Sequence, residues 1–289
     1  AAGFAIWSDP FKHKILFDEY VLQATALHMH ATKEIGTVIR AYEIAGSWVP
    51  IDTFLDKRPY FFAFLVSLVH DFTGYRLANI FFVNALLTPC LLALVYWLGR
   101  ALTNGRGPAL LAVGLLATMP LLGQQTSGAG LELHNLVMLT LVLALAILYL
   151  RAPGADRLSL LVLGTLLLAQ SRYESVIFVG ATACVIVAGW QRAGRVILSW
   201  PALIAPLLLV PYAWQKRYVD ESSLLWQLAE GQTDRFSFDY LTGNLQGAWA
   251  FFFNRSPAIA NSWYLSVLGA AGLVLALVQT WRWARKPAR

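Results

Sequence analysis

Charge is scarce in this sequence. Asp, Glu, Lys and Arg make up 13% of the 289 residues, roughly half the share that a soluble domain carries. Hydrophobic residues account for 58% and the mean hydropathy is +0.57. Cysteine is nearly missing. Cys90 and Cys184 both fall inside apolar runs, which excludes a disulfide framework or a CxxC site. The glycine-rich signatures of nucleotide binding and the GxSxG elbow of hydrolases are absent. His28 and His30 stand two residues apart and so point to different faces of a helix, unlike the pair four apart that binds zinc in HExxH. The net charge is +6, but no block of Lys and Arg interleaved with aromatics marks a nucleic-acid surface.

What is present is a series of long apolar runs. Seven segments approach the roughly 20 residues that a membrane-spanning helix needs: 76–100, 107–125, 131–150, 156–171, 173–190, 196–214 and 262–284. The fourth and fifth are short and meet at the polar turn QSRYES, a hairpin tip expected below the membrane surface. The fold expected is an all-α integral membrane protein, a polytopic bundle of about seven spans preceded by a large structured outer loop. Residues 1–75 form that loop, 76–214 the main bundle, 215–261 a second outer loop, and 262–289 the last span with a basic tail.

Charge fixes the expected sides. Arg100 and Arg106, Arg151 and Arg157, and Arg192 and Arg195 occupy alternate connections, and the tail adds Arg282, Arg285, Lys286 and Arg289. One acid, Asp156, accompanies these ten basic residues; the opposite short connections hold a single basic residue, Arg172. Basic connections face the cytoplasm, so residues 1–75 and 215–261 are expected outside, in a bacterial periplasm for preference or otherwise in a eukaryotic lumen. This orientation requires a further span ahead of residue 1. The chain opens on Ala and shows no signal-peptide pattern.

The outer loop predicts its own elements. Tyr20, Ala24, Leu27, Ala31, Ile35, Val38 and Tyr42 recur at steps of three and four, the spacing of an amphipathic helix over 19–44. PYFFAFLVSLVHD, residues 59–71, is apolar but too short to cross and is expected at the outer interface.

Five stretches could carry chemistry, and all lie on or near the outer side. LFDEY sets Asp18 beside Glu19 at a predicted helix start, where Asp18 could cap the helix and Glu19 complement its dipole. Successive helical residues diverge by about 100°, so as functional groups the two would serve different targets. DKRPYFF offers Lys57 and Arg58 at the membrane interface, either as snorkelling anchors or as ligands for an anionic headgroup. Arg76, in GYRLANIFF, stands at the mouth of the first span. In QSRYES, Arg172 and Glu174 could pair with each other, or Arg172 could hold a phosphate at membrane depth, where charge is costly. Glu132 in SGAGLELHN completes the set as a helix-start carboxylate or a substrate contact.

The order of these elements is FDEY in an outer loop, a helix, the DKRPYFF step, then YRLANIFFVNALLTPCLLALVYWLGRAL. It resembles the GT-C glycosyltransferases that use polyprenyl-phosphate sugars, especially the protein O-mannosyltransferase and aminoarabinose transferase group. The resemblance covers roughly residues 16–150 and is general beyond. The sequence departs from the family where Arg58 replaces the first proline of its usual Pro-Pro step. The resemblance implies that Asp18 is the general base, that Glu19 helps hold acceptor or base, and that Arg76 belongs to the donor-binding set.

The chemistry expected is inverting transfer of a sugar from a polyprenyl-phosphate donor to a lipid, glycan or protein acceptor at the outer face of a membrane. No nucleotide sugar or nucleic acid takes part; carboxylates at the site could hold a divalent cation. The alternatives are an O-antigen polymerase or ligase, whose outer-loop chemistry rests on arginines, and a lipid-sugar transporter or flippase. An early Asp-Glu pair disfavours the first. Charges gathered at outer ends, with no internal repeat, disfavour the second.

Overall fold

Runs rich in Leu and Ala become helices here because a helix satisfies its own backbone polar groups without water. A computed structural model describes residues 1–221, 237–256 and 262–284. The order is α1 (Ala2–Trp7), α2 (Leu16–Thr32), β1 (Thr37–Ile44), β2 (Ser47–Phe54), α3 (Phe61–Thr73), α4 (Asn79–Thr103), α5 (Arg106–Ala117), α6 (Pro120–Thr126), α7 (Glu132–Arg151) and α8 (Ala155–Ala169). A 3-10 turn, Tyr173–Val176, leads into α9 (Ile177–Ala193), followed by α10 (Trp200–Leu208), α11 (Val210–Glu221), α12 (Tyr240–Phe253) and α13 (Trp263–Ala284).

Helices occupy all seven expected ranges, and among the described residues three have the length and apolarity of a span. Asn79–Thr103, Glu132–Arg151 and Tyr173–Ala193 qualify, and the pair α5 and α6 makes a fourth if its 69° bend is one broken span. Pro120 opens α6 at a position where its missing N–H costs nothing. Helix α8 has 15 residues. The expected span 196–214 is divided at Leu209 into α10 and α11, with Pro206 and Pro211 on either side; each proline withdraws an N–H from the helical ladder. The architecture is that of a predominantly helical membrane protein. The boundary expected at 214/215 falls inside α11. Much of the second outer loop, and the tail residues Arg285, Lys286 and Arg289, lie outside the described residues.

Two expectations for the outer loop are corrected. The helix expected over 19–44 stops at Thr32, where Lys33 turns left-handed with φ 61° and donates its N–H to the Met29 carbonyl at 3.0 Å. The β-branched run Thr37-Val38-Ile39 then favours a strand, and β1 pairs with β2 as an antiparallel hairpin. The turn residues Ala45 and Gly46 have φ of 52° and 76°, the mirrored geometry of two-residue hairpins. The fold is therefore not all-α. Nor does Asp18 cap a helix: α2 begins at Leu16 without a side-chain cap, and both acids lie in its first turn. The segment 59–71 does form a short apolar helix, α3.

Three packed groups build the body. Leu22, Ala26 and Met29 of α2 meet Phe62, Ala63 and Val66 of α3, Ile80 and Val83 of α4, and Ala129 and Leu131 of the loop before α7. Helices α1, α4, α6 and α7 share a second group, and α7, α8 and α9 a third. Helices α4 and α5 cross so closely that a Cβ on Gly99 would lie 2.8 Å from the Ala109 Cα. Arg151 donates to the Ala101 carbonyl, so the 100–106 and 151–157 turns share one end of the bundle. Glu132 begins α7 at the other end, about 30 Å away at 1.5 Å per residue.

The imidazoles of His28 and His70 are buried. Burial holds both below the ordinary 6.5, opposed by Glu34 at His28 and, after a further lowering by His30, by Asp71 at His70. The His70 Nδ1 faces the Asn79 amide nitrogen at 2.8 Å, a contact suited to the neutral ring. Below about pH 6.5 the unfolded chain binds protons that the folded chain does not. The stabilising contribution is thus full above that pH and declines as pH falls toward the lowered folded values. Melting curves between pH 7 and pH 5 should show a falling midpoint, and a smaller fall in His70→Gln.

Candidate functional site

The residues named from sequence converge. A cavity of about 150 Å³ is lined by Asp18 and Glu19 from α2, Lys57 and Arg58 from the segment between β2 and α3, Glu132 from the start of α7, and Arg172 and Tyr173 from the turn between α8 and α9. Four separate stretches thus bring three acids and three bases to one place. It opens at the end of α7 away from the Arg100–Arg106 and Arg151–Arg157 turns. Glu174 does not line the cavity but accepts the Arg172 Nε–H at 2.9 Å. Arg76 is exposed in the loop between α3 and α4 and does not line it either.

Each charge has a distinct setting. Glu19 is 2% exposed. Its Oε2 accepts the Lys14 backbone N–H at 2.6 Å, and its Oε1 that of Ala129 at 3.0 Å. Asp18, one step further round the helix, turns its Oδ1 to Arg58; its side chain is 42% exposed, and Oδ2 makes no hydrogen bond among the described residues. The divergence expected of successive helical residues is realised: Glu19 ties backbone together while Asp18 faces the cavity.

Arg58 sits between two carboxylates. One guanidinium nitrogen reaches both oxygens of Asp56, at 2.9 and 2.8 Å, and the other reaches Asp18. Burial works against the guanidinium charge, but Asp56 and then Asp18 outweigh it and hold Arg58 more firmly protonated than usual. Arg172 follows the same pattern: burial opposes its charge, and Glu174 and Glu132 outweigh that.

Residues that sequence reasoning passed over support the cavity. Asp56 lay within the quoted DKRPYFF, and a carboxylate two residues before an arginine was the available signal. Asn84, a buried amide in the apolar α4, donates to the carbonyls of Gly128 and Gly130, each at 2.9 Å. A lone Asn in a span calls for a partner. Gln215 donates to the carbonyls of Asp56 and Arg58 at 2.8 and 2.9 Å, and nothing in the sequence marks it.

An apolar groove of about 520 Å³ adjoins the cavity across Pro59 and is walled by Leu55, Tyr60, Pro211, Tyr212 and Trp214. A third cavity, of about 430 Å³, continues from it past Ile35, Tyr60 and Gln170 along Phe61 and Phe64 of α3. No protein-family model, curated protein or solved structure matches this chain. Among the described residues no cluster of three or more His, Cys, Asp or Glu side chains is arranged to hold a metal ion.

The site can place a small polar group between opposite charges while an apolar chain lies in the neighbouring groove. Its two motif carboxylates should separate by experiment. Glu19→Gln puts an amide where a buried carboxylate accepts two N–H groups, and should destabilise the protein by about 2 kcal/mol. Asp18→Asn, half in solvent, should leave the melting midpoint near wild type. Thermal unfolding of the two purified variants checks the contrast.

Proposed function

We propose that this protein transfers a sugar from a polyprenyl-phosphate donor to an acceptor at the outer face of a membrane, as a GT-C type glycosyltransferase. The observation that carries the reading is the single cavity in which Asp18, Glu19, Lys57, Arg58, Glu132 and Arg172 meet, beside an apolar groove. A donor of this class is itself a small charged head on a long apolar chain. The cavity suits the head and the groove suits the chain. The cavity also lies at the end of the bundle away from the arginine turns, which the positive-inside rule assigns to the cytoplasm.

In the reaction, the acceptor hydroxyl or amine attacks the anomeric carbon. The new bond to that carbon forms as its bond to the phosphate oxygen breaks, and the electron pair of the broken bond leaves with the polyprenyl phosphate. Asp18 takes the acceptor's proton through the oxygen not engaged by Arg58. Arg172 faces the charge that develops on the leaving phosphate, with Lys57 on the same cavity wall as Arg58. A single displacement from the side opposite the phosphate inverts the anomeric centre. Glu19 holds the 127–131 loop against α2 and so keeps the acceptor side in shape. Arg76 lies outside the cavity, and its role on the donor side would be to meet the donor beyond it.

The assay is release of free polyprenyl phosphate from polyprenyl-phosphate hexose or pentose donors, in membranes that carry their own acceptors. Asp18→Asn should lower release by about a hundredfold or more with insertion into the membrane intact; near-normal release would sink the base assignment. Arg172→Ala should weaken donor use, read as a raised donor concentration for half-maximal release. Unchanged donor dependence would remove Arg172 from the phosphate site.

A further inference from the structure

Three carboxylates line the cavity, and their hydrogen bonding sets one apart. Glu19 spends both oxygens on backbone N–H groups. Asp18 gives one oxygen to Arg58 and exposes the rest. Glu132 has a buried Oε2 with no hydrogen-bond partner among the described residues. Arg172 acts on it through charge, while the Arg172 Nε–H goes to Glu174. A buried carboxylate oxygen without a donor is costly to keep. The chain nevertheless makes room for this one: a Cβ on Gly130 would lie 2.3 Å from the Glu132 Oε2, so any side chain at 130 would push the carboxylate aside. The Gly130 carbonyl is pinned by Asn84 at 2.9 Å, which fixes the backbone that leaves the gap.

We infer that Glu132 binds the acceptor, receiving a hydrogen bond from its hydroxyl or amine on the cavity wall that α7 provides. This assignment rests on the transfer reaction proposed above. It names the acceptor's shared chemistry as an O–H or N–H donor that enters the cavity and satisfies the Oε2. The proton that leaves the acceptor in the reaction still goes to Asp18; Glu132 orients the nucleophile and takes no part in the proton transfer.

The test compares wild type with Glu132→Gln, Glu132→Leu and Gly130→Ala in the full-length protein. The measurements are binding of labelled polyprenyl phosphate, release of polyprenyl phosphate from the sugar donors, and the melting midpoint. Loss of a hydrogen bond to a charged group should slow release by about tenfold or more in Glu132→Leu and Gly130→Ala, with Glu132→Gln in between because its amide oxygen still accepts. Polyprenyl phosphate binding should stay near the wild-type level. The midpoint of Glu132→Gln should stay near wild type, since the Oε2 that it replaces accepts no hydrogen bond among the described residues. Release near wild type in both Glu132→Leu and Gly130→Ala would overturn the assignment. Binding that falls as far as release would place Glu132 behind Arg172 on the donor side and overturn it too, as would a lowered midpoint that accounts for the lost release. Failure of the wild type to release polyprenyl phosphate from any of the donors would instead remove the transfer reaction, and this assignment with it.

Discussion

The cavity depends on one buried carboxylate. Glu19 has almost no contact with solvent, so its charge must be met inside the protein. It is met by two backbone N–H groups, one from Lys14 ahead of α2 and one from Ala129 ahead of α7. Those bonds join chain segments 110 residues apart and bring the first turn of α2 against the glycine loop that leads to Glu132. Asn84 closes the other side of that loop from α4. The cavity walls that come from α2 and from the start of α7 are therefore tied to each other and to α4 by polar bonds, beside the apolar packing of Leu22, Ala26, Ile80 and Leu131. Apolar packing alone would allow these helices to slide. Directional bonds fix their register, and the position of Asp18 follows from that of Glu19.

The parts of this arrangement that sequence disclosed are those with strong one-dimensional signals. Long apolar runs marked where helices lie, and charges at their ends marked the four stretches that supply the cavity's six charged groups, without any knowledge of packing. LFDEY, DKRPYFF, SGAGLELHN and QSRYES are far apart in the chain, yet an ionisable group beside an apolar run needs a polar refuge, and a common refuge is the economical solution. The hairpin was illegible for a physical reason. Residues 35–44 keep a helix-like spacing of apolar groups, and periodicity does not register the left-handed turn at Lys33 or the pairing of Tyr42 with Val49 across the sheet. Span number is less legible than helix position because helix length and span length differ: α8 fills most of its expected range yet is 15 residues long. Arg76 shows what a one-dimensional signal leaves open. A charge at a span mouth need not face inward, and the loop between α3 and α4 leaves this one in the open.

The balance of charge in the cavity decides which cation is available to a ligand. Arg58 is held by Asp56 through both carboxylate oxygens and by Asp18 as well. Asp56 is buried, so parting it from Arg58 would strand a carboxylate away from water, which costs several kcal/mol, roughly 3–5. Arg58 is accordingly a fixed part of the wall, and its effect is to orient Asp18. Arg172 is held differently. Its hydrogen-bonded partner Glu174 has a side chain that is 51% exposed, and a carboxylate there returns to solvent at little cost, since exposed pairs contribute about 1 kcal/mol or less. An incoming phosphate can displace Glu174 from Arg172 far more readily than it can displace Asp56 from Arg58. Two arginines of equal formal charge thus divide into one that shapes the site and one that can exchange its partner. The difference arises from where their acids sit, not from the arginines themselves.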